Sequence, residues 1–427
     1  MIATEYPRLW EKMYWGKTPG GLTVAVVPRP GFTRKLAYLV TDFGSIQRRF
    51  TLDGQAITAP AGVAHYLEHK LFDMPGFDVS EKFAEMGAMV NAFTSYDMTA
   101  YYFSATEHFD SCLELLLQFV TTGYFTEESV AREQGIIGQE IGMNEDNPDT
   151  RLFENLMAAM YENHPIAEPI LGTRESISHI TPKVLTDVHR AFYRPDNLLL
   201  CVVGDVDPEK VYETACKMTE NILPAQVTED TQLPEPMACS KEQIRDSMDV
   251  AMPMFQLGFK CEPLGKEEDS VRRELIGDLA AEMLFGESSE LYLRLYEQGV
   301  IDSSFGGGFE TVKGMAMLTA SGDSFTPEKV REAIFKQAQK LLKDGIDEED
   351  FMRCKRSALG RRMRDLDSFD SLCFRICAYH FSGFDYFNFP QVYGRIQRSD
   401  LLEFIRRVVT PQRCCLSVID PITKEEN

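Results

Sequence analysis

Nowhere in its 427 residues does the chain hold the run of about 18 apolar residues that a membrane-spanning helix needs. Its opening, MIATEYPRLWEKMYWGKTPGG, lacks the basic stretch followed by an apolar one that marks a secretory leader. No membrane association and a cytoplasmic location are therefore expected. The ten cysteines form no CxxC pair and follow no framework spacing. Only CFRIC (Cys373, Cys377) and the adjacent Cys414 and Cys415 lie close together, so buried free thiols in a reducing compartment are expected. Positive charge is short as well. Forty-four Lys and Arg face 66 Asp and Glu, a net charge of −22 that opposes nucleic-acid binding and docking on anionic lipid. This balance leaves open a preference for basic partners or simply a solvated acidic surface.

What is present is globular. Apolar residues make up 44% and charged residues 26%. At this length one core does not suffice, and two domains of roughly 200 residues are expected. GLTVAVVPRP and KLAYLVTDFGS read as strands, with a turn at Pro30-Gly31. A helix is predicted from near Pro60 to before Pro75-Gly76, then another over DVSEKFAEM. NAFTSYDMTAYYFSA has the β-branched and aromatic content of a strand. HFDSCLELLLQFVTT and EESVAREQGIIGQEIGMNED read as helices, the second closed by Asn147-Pro148. LLLCVVGDVD reads as a buried strand leading into a helix at Pro208.

Residues 224–243, rich in Pro, Thr and acids, are the expected linker. They separate an N-terminal domain, 1–223, from a C-terminal one, 244–427. FTPEKVREAIFKQAQKLLKDGIDEEDFMRCKRSALG echoes FDSCLELLLQFVTTGYFTEESVAREQGIIG, which suggests a duplicated α/β unit. The second copy has no paired histidines.

His65-Tyr66-Leu67-Glu68-His69 carries the most chemistry. On a helix, residues four apart share a face, so both imidazoles can reach one ion. Glu68 stands beside them and is free to act as a base. Read alone, the pair is open between this and two histidines merely packed and hydrogen-bonded.

The surrounding blocks extend the signal. GVAHYLEHKLF, GAMVNAFTSYDMTAYYF, EQGIIGQEIGMNEDNPD, HPIAEPILGT and FYRPDNLLLCVVGDVDP resemble, in order, recurring stretches of the pitrilysin/insulinase family of inverted-motif zinc peptidases. The bacterial branch similar to mitochondrial processing peptidase fits best. The resemblance implies an α+β fold of two similar α/β domains, each a mostly antiparallel sheet covered by helices, arranged as half of a clam-shell chamber. It also implies one Zn2+ per chain, held by His65, His69 and a downstream glutamate. Glu140 is the expected third ligand and Glu145 its rival; Glu133, seven residues before Glu140, is the expected supporting acid. Ile136, Ile137 and Ile141 suggest that part of this helix is buried. Gly135, Gly138 and Gly142 suggest close packing beside the site.

A two-histidine, one-carboxylate set leaves a fourth zinc position for water. Glu68 would then serve as general base in a metalloendopeptidase acting on small peptides or unfolded segments. Asn91, Ala92, Phe93 and Thr94 fall where the family binds peptide along a sheet edge, although an ordinary core strand is the plain alternative. An Arg and, seven residues later, a Tyr hold the substrate carbonyl in active family members. Arg294 stands at the first place, and also fits a surface charge. Ile301 stands at the second, and Tyr296 is at the wrong offset. A homodimer, or a heterodimer with a zinc-less paralogue supplying Arg and Tyr, is the expected assembly. A non-catalytic subunit of a peptidase-like or peptide-maturation complex is the competing reading, against which the intact His-x-x-Glu-His motif argues.

Overall fold

A computed structural model describes residues 1–222, 224–229, 234–265 and 268–422. Its strands gather into two principal sheets, each the centre of one compact unit. The first unit comprises Met1–Ile141, Pro169–Thr231 and Met363–Asn388. The seven strands of its principal sheet are β1 (Ile2–Tyr6), β2 (Glu11–Lys17), β3 (Thr23–Pro28), β4 (Lys35–Thr41), β5 (Met89–Thr94), β6 (Thr99–Ala105) and β7 (Leu198–Gly204). They lie in the order β1-β2-β3-β7-β4-β6-β5. Only the β3–β7 pair is parallel. The run LLLCVVG of β7 is buried along its whole length, as a central strand covered on both faces must be.

Three features differ from the sequence reading. β1 and β2 are additional to the strands expected from sequence, and their charged and aromatic residues lie on a partly exposed edge. NAFTSYDMTAYYFSA is a hairpin, not one strand. Ser95 and Asp97 close its turn: Ser95 Oγ donates to Asp97 Oδ1 and accepts from the Met98 amide, both at 3.2 Å. The expected linker is only partly free of structure. Val227–Glu229 pairs as a strand with Arg49–Leu52, and Glu235 binds the Lys260 ammonium at 2.8 Å. Leu223 and residues 230–233 lie outside the described residues.

The second unit comprises Gly142–Glu168, Gln232–Arg362 and Phe389–Asn427. Its strands are β8 (Gln243–Met248), β9 (Met254–Cys261), β10 (Gly306–Val312), β11 (Met315–Asp323) and β12 (Cys414–Pro421), in the order β8-β12-β9-β11-β10. Again one pair, β8–β12, is parallel and the rest are antiparallel. This repeats the pattern of β3-β7-β4-β6-β5, so the duplication suggested by the helices is present in the sheets. The fold is α+β.

The helices used below are α1 (Val63–Leu71), α2 (Glu127–Glu145), α3 (Pro148–Met160), α4 (Pro182–Phe192), α5 (Glu268–Phe285), α6 (Glu290–Glu297), α7 (Phe369–Phe381) and α8 (Arg398–Val408). No helix among the described residues is long and apolar enough to cross a membrane. All ten cysteines are free, and none is fully exposed.

The units run differently from the consecutive stretches 1–223 and 244–427. α3, capped by the Asn147 side chain on the Thr150 amide, buries Leu152, Leu156, Met157 and Met160 in the second unit. There the Met160 thioether packs so tightly on Gly258 that a side chain would not fit. Conversely α7, late in the chain, covers β4 and β7 of the first unit and sets the Cys373 thiol 4.0 Å from the Cys201 carbonyl. Burial of apolar faces decided membership, and sequence order did not.

One buried titratable group in the first unit has a measurable consequence. His189 of α4 pairs its Nε2 with the Val120 carbonyl at 2.9 Å and stacks on Tyr193. Burial pushes its pKa down to about 4, only partly offset by that hydrogen bond. The unfolded chain, titrating near 6.5, therefore binds the proton that the folded one refuses. This contribution is intact above about pH 6.5 and is lost as pH falls toward about 4, the loss amounting to roughly 2 kcal/mol by pH 5. His189→Gln, which retains a donor for Val120, is expected to lose about 2 kcal/mol less than wild type between pH 7 and pH 5 in urea unfolding. An equal loss in both would show that His189 is not the group responsible.

Candidate metal centre

The backbone that launches α1 is fixed by glycine. Gly62 sits at φ 88°, and a Cβ there would lie 2.3 Å from the Leu171 carbonyl oxygen. The HPIAEPILGT block thus supplies the wall against which α1 starts, and Ser176 Oγ bonds the Ala61 carbonyl at 2.9 Å. From that start α1 is buried on almost every side. Tyr66 donates to the Val130 carbonyl of α2 at 2.5 Å, fixing the spacing of the two helices. Lys70, wholly buried, pairs with Asp73 at 2.6 Å.

This packing leaves one polar face. His65 Nε2 lies 3.6 Å from Glu140 Oε1, and His69 Nε2 lies 3.4 Å from Glu140 Oε2. The three ligand atoms all lie within 4.8 Å of one another, and no other such group occurs among the described residues. These gaps are long for hydrogen bonds. They are close to the ~3.4 Å that separates two donors held ~2.1 Å from one tetrahedral ion, with each histidine facing a different oxygen of Glu140. On the outer side His69 Nδ1 meets Glu133 Oε1 at 3.0 Å, which puts the ring proton there and turns the Nε2 lone pair toward Glu140. His65 Nδ1 is buried without a hydrogen-bond partner. The donor set therefore fits a zinc ion.

Electrostatics follow the same geometry. The facing His65, and then His69, hold the Glu140 carboxyl below its ordinary range, against its partial burial. Burial opposes protonation of His69, but the Glu133 hydrogen bond and the surrounding carboxylates raise its pKa overall. Glu68 is 9% exposed, and burial raises its pKa against the pull of Thr94 and the two histidines. Its Oε2 accepts the Thr94 hydroxyl at 2.5 Å.

β5, which carries Asn91, Ala92, Phe93 and Thr94, is the outermost strand of the first sheet and pairs only with β6. Asn91 is exposed and the other three are half-buried; Phe93 packs between the Tyr102 and Phe374 rings. A cleft of about 550 Å³ opens between α1, β5 and α2, touching Glu68, His69, Asn91, Ala92 and Glu133. Ile136 is also in its wall and is 49% exposed, so of the three isoleucines only Ile137 and Ile141 are buried. Nor does close packing explain Gly135 and Gly138, where side chains would meet nothing within 4 Å.

Glu145 lies outside the ligand cluster, is exposed, and belongs to the second unit's share of α2. Arg294, half-buried on α6, also belongs to the second unit. Ile301 is 4% exposed within that unit's core, and Tyr296 is exposed and stacked on Tyr292. The role of Thr94 as partner to Glu68 was not foreseen, and no pattern in the residues themselves would have disclosed it.

The chain is similar to known proteins in sequence and fold. A family profile described as Insulinase (Peptidase family M16) matches residues 56–174, and one described as Peptidase M16 inactive domain matches residues 179–358. The protein named zinc protease YmfH of Bacillus subtilis (strain 168), itself called uncharacterized, is 36% identical over 98% of both chains. A zinc protease of Rickettsia felis, likewise called uncharacterized, is 26% identical over 79% of this chain and 80% of its own. The crystal structure of an M16-like peptidase from Alicyclobacillus acidocaldarius superposes with a TM-score of 0.92, at 29% identity over 98% of this chain and 100% of its own. A Helicobacter pylori protease shares the fold, with a TM-score of 0.81 at 20% identity over 96% of this chain and 100% of its own. With both its halves matched and a full-length relative above 30% identity, the chain belongs to the insulinase, or M16, peptidase family.

Proposed function

We propose that the chain is a zinc metalloendopeptidase that hydrolyses small peptides or unfolded segments. One observation carries the reading: three ligand atoms of His65, His69 and Glu140 lie within 4.8 Å of one another, with the buried carboxylate of Glu68 on the same helix face. His65, His69 and Glu140 would hold one Zn2+. When bound, zinc acidifies water and polarises an amide carbonyl.

The chain's own groups supply the rest. Glu133 holds the His69 tautomer. The Thr94 hydroxyl fixes Glu68, which takes a proton from the attacking water and delivers it to the departing amine. The outer edge of β5 offers main-chain hydrogen bonds to an extended peptide, so backbone and not side chain dominates recognition. Asn91, Ala92 and Phe93 would line that peptide, and Arg294 would assist it.

The burial of Ile301 favours a qualification. With no tyrosine at that place, a second chain is needed to supply one, from a homodimer or from a zinc-less paralogue. The cytoplasm is the proposed location.

The test is zinc content by mass spectrometry together with hydrolysis of a mixed peptide library, by the chain alone and with candidate partner chains. Stoichiometric zinc and cleavage in either arm are expected. A chain that binds no zinc, or that holds zinc and cleaves nothing with any partner, is not this enzyme.

A further inference from the structure

The second unit carries a cavity of about 240 Å³ that the chemistry above does not use. Asp269, Arg272, Arg273 and Ile276 recur at helical spacing on one face of α5. Asp400, Glu403, Phe404 and Arg407 do so on α8, and the two helices pack together. Leu264, beyond the end of β9, and Phe309 of β10 complete an apolar wall, with the Phe309 and Phe404 rings 5.7 Å apart.

The charges here are almost all matched. Glu262 is held by Arg407 at 2.8 Å and Arg413 at 3.0 Å, a pairing that outweighs its burial and brings its pKa to about 2. Asp400 is held by Arg272 at 2.6 Å and the Gln397 amide at 2.8 Å, and Glu403 by Arg406 at 2.7 Å. Arg273 is the least satisfied. Among the described residues its Nε is buried with no hydrogen-bond partner and stands 3.6 Å from Asp269 in a loose ion pair, and its Nη2 makes one long contact to Ser270 Oγ at 3.4 Å. Asp269 is 65% exposed and the Arg273 side chain 37%, so this pair is loosely held and the buried Nε is open to a better-placed carboxylate.

We propose that this cavity binds a carboxylate carried on an apolar stem, with Arg273 taking the carboxylate and the Phe309–Phe404 wall the stem. A peptide ending in Leu or Phe with a free α-carboxylate has this chemistry. Naming a peptide as the source rests on the peptidase reading, but the site itself does not. Guanidinium and carboxylate match in a fork geometry, and a charge-assisted pair is stronger than a neutral one. The size suits one side chain and its terminal group, not a long segment.

The test measures binding, not turnover. Fluorescence anisotropy of the full chain, freed of metal with a chelator, is read with a labelled hexapeptide ending in Leu and with its C-terminal amide. The free acid is expected to bind about 10-fold or more tightly than the amide. That preference is expected to vanish in Arg273→Gln and to return in part in Arg273→Lys. Acetyl-leucine serves as competitor: full displacement at equal affinity would make a free small acid the ligand, and weak displacement a peptide end. Equal binding of acid and amide, no binding of either, or an unchanged preference in Arg273→Gln overturns the site. Because binding is read on the metal-free chain, the two readings fail separately: loss of the acid preference sinks only the cavity, and failure of the zinc-loaded chain to cleave the peptide library sinks only the catalytic reading.

Discussion

A Glu68→Gln chain is expected to keep its zinc and to hydrolyse peptides about 1,000-fold more slowly, the middle of the range for a lost general base. Glu68 is not among the three clustered ligand atoms, so metal content should not fall. Glutamine is isosteric and its amide oxygen can still accept the Thr94 hydroxyl, so α1 and β5 keep their contact. What disappears is a site for the proton. The loss should therefore fall in kcat with KM little changed, since nothing that holds the substrate in the ground state is removed. Turnover within a few-fold of wild type would take the role of base away from Glu68. Loss of zinc would make it a ligand.

The second large effect concerns the third ligand. Glu140→Gln is expected to weaken zinc binding by more than ~100-fold, because removing a direct ligand exceeds the 10- to 100-fold cost of removing its support. Glu133→Gln should fall within that 10- to 100-fold range, since it loosens only the His69 ring that Glu133 holds at 3.0 Å. Glu145→Gln should change nothing measurable. Titration against a chelating dye orders the three. A result in which Glu145 matters and Glu140 does not would require α2 to sit differently against α1.

Much of this centre was legible before any coordinates. The spacing of His65, Glu68 and His69 is a property of the helix repeat, so it survives into the structure unaltered. Glu133 and Glu140 are seven apart, two turns on one face, and both point to the histidines. What could not be read was anything decided by a neighbour distant in sequence. Ile136 looks like core by composition and is exposed, because the surface above it is a cleft. Ile301, by contrast, could be noticed as a departure from the family's pattern, yet its burial depends on a core assembled from β9, β11 and α6. The hairpin of β5 and β6 reads as one strand in the sequence because the turn Ser95–Met98 contains neither Gly nor Pro. The contribution of Thr94 to Glu68 spans 26 residues and has no local signature.

The late placement of α7 bears on how the protein is made. A ribosome releases the chain from its N-terminus, so β4 and β7 exist for some time before the helix that covers them, Phe369–Phe381, has been translated. Until then an apolar surface that includes the wholly buried β7 is without its lid, a condition in which nascent chains recruit chaperones or aggregate. A fragment ended near residue 223 would suffer the same deficit permanently. The half that carries His65, Glu68 and His69 is thus not a detachable module, and shortening the gene is a poor route to a smaller stable chain.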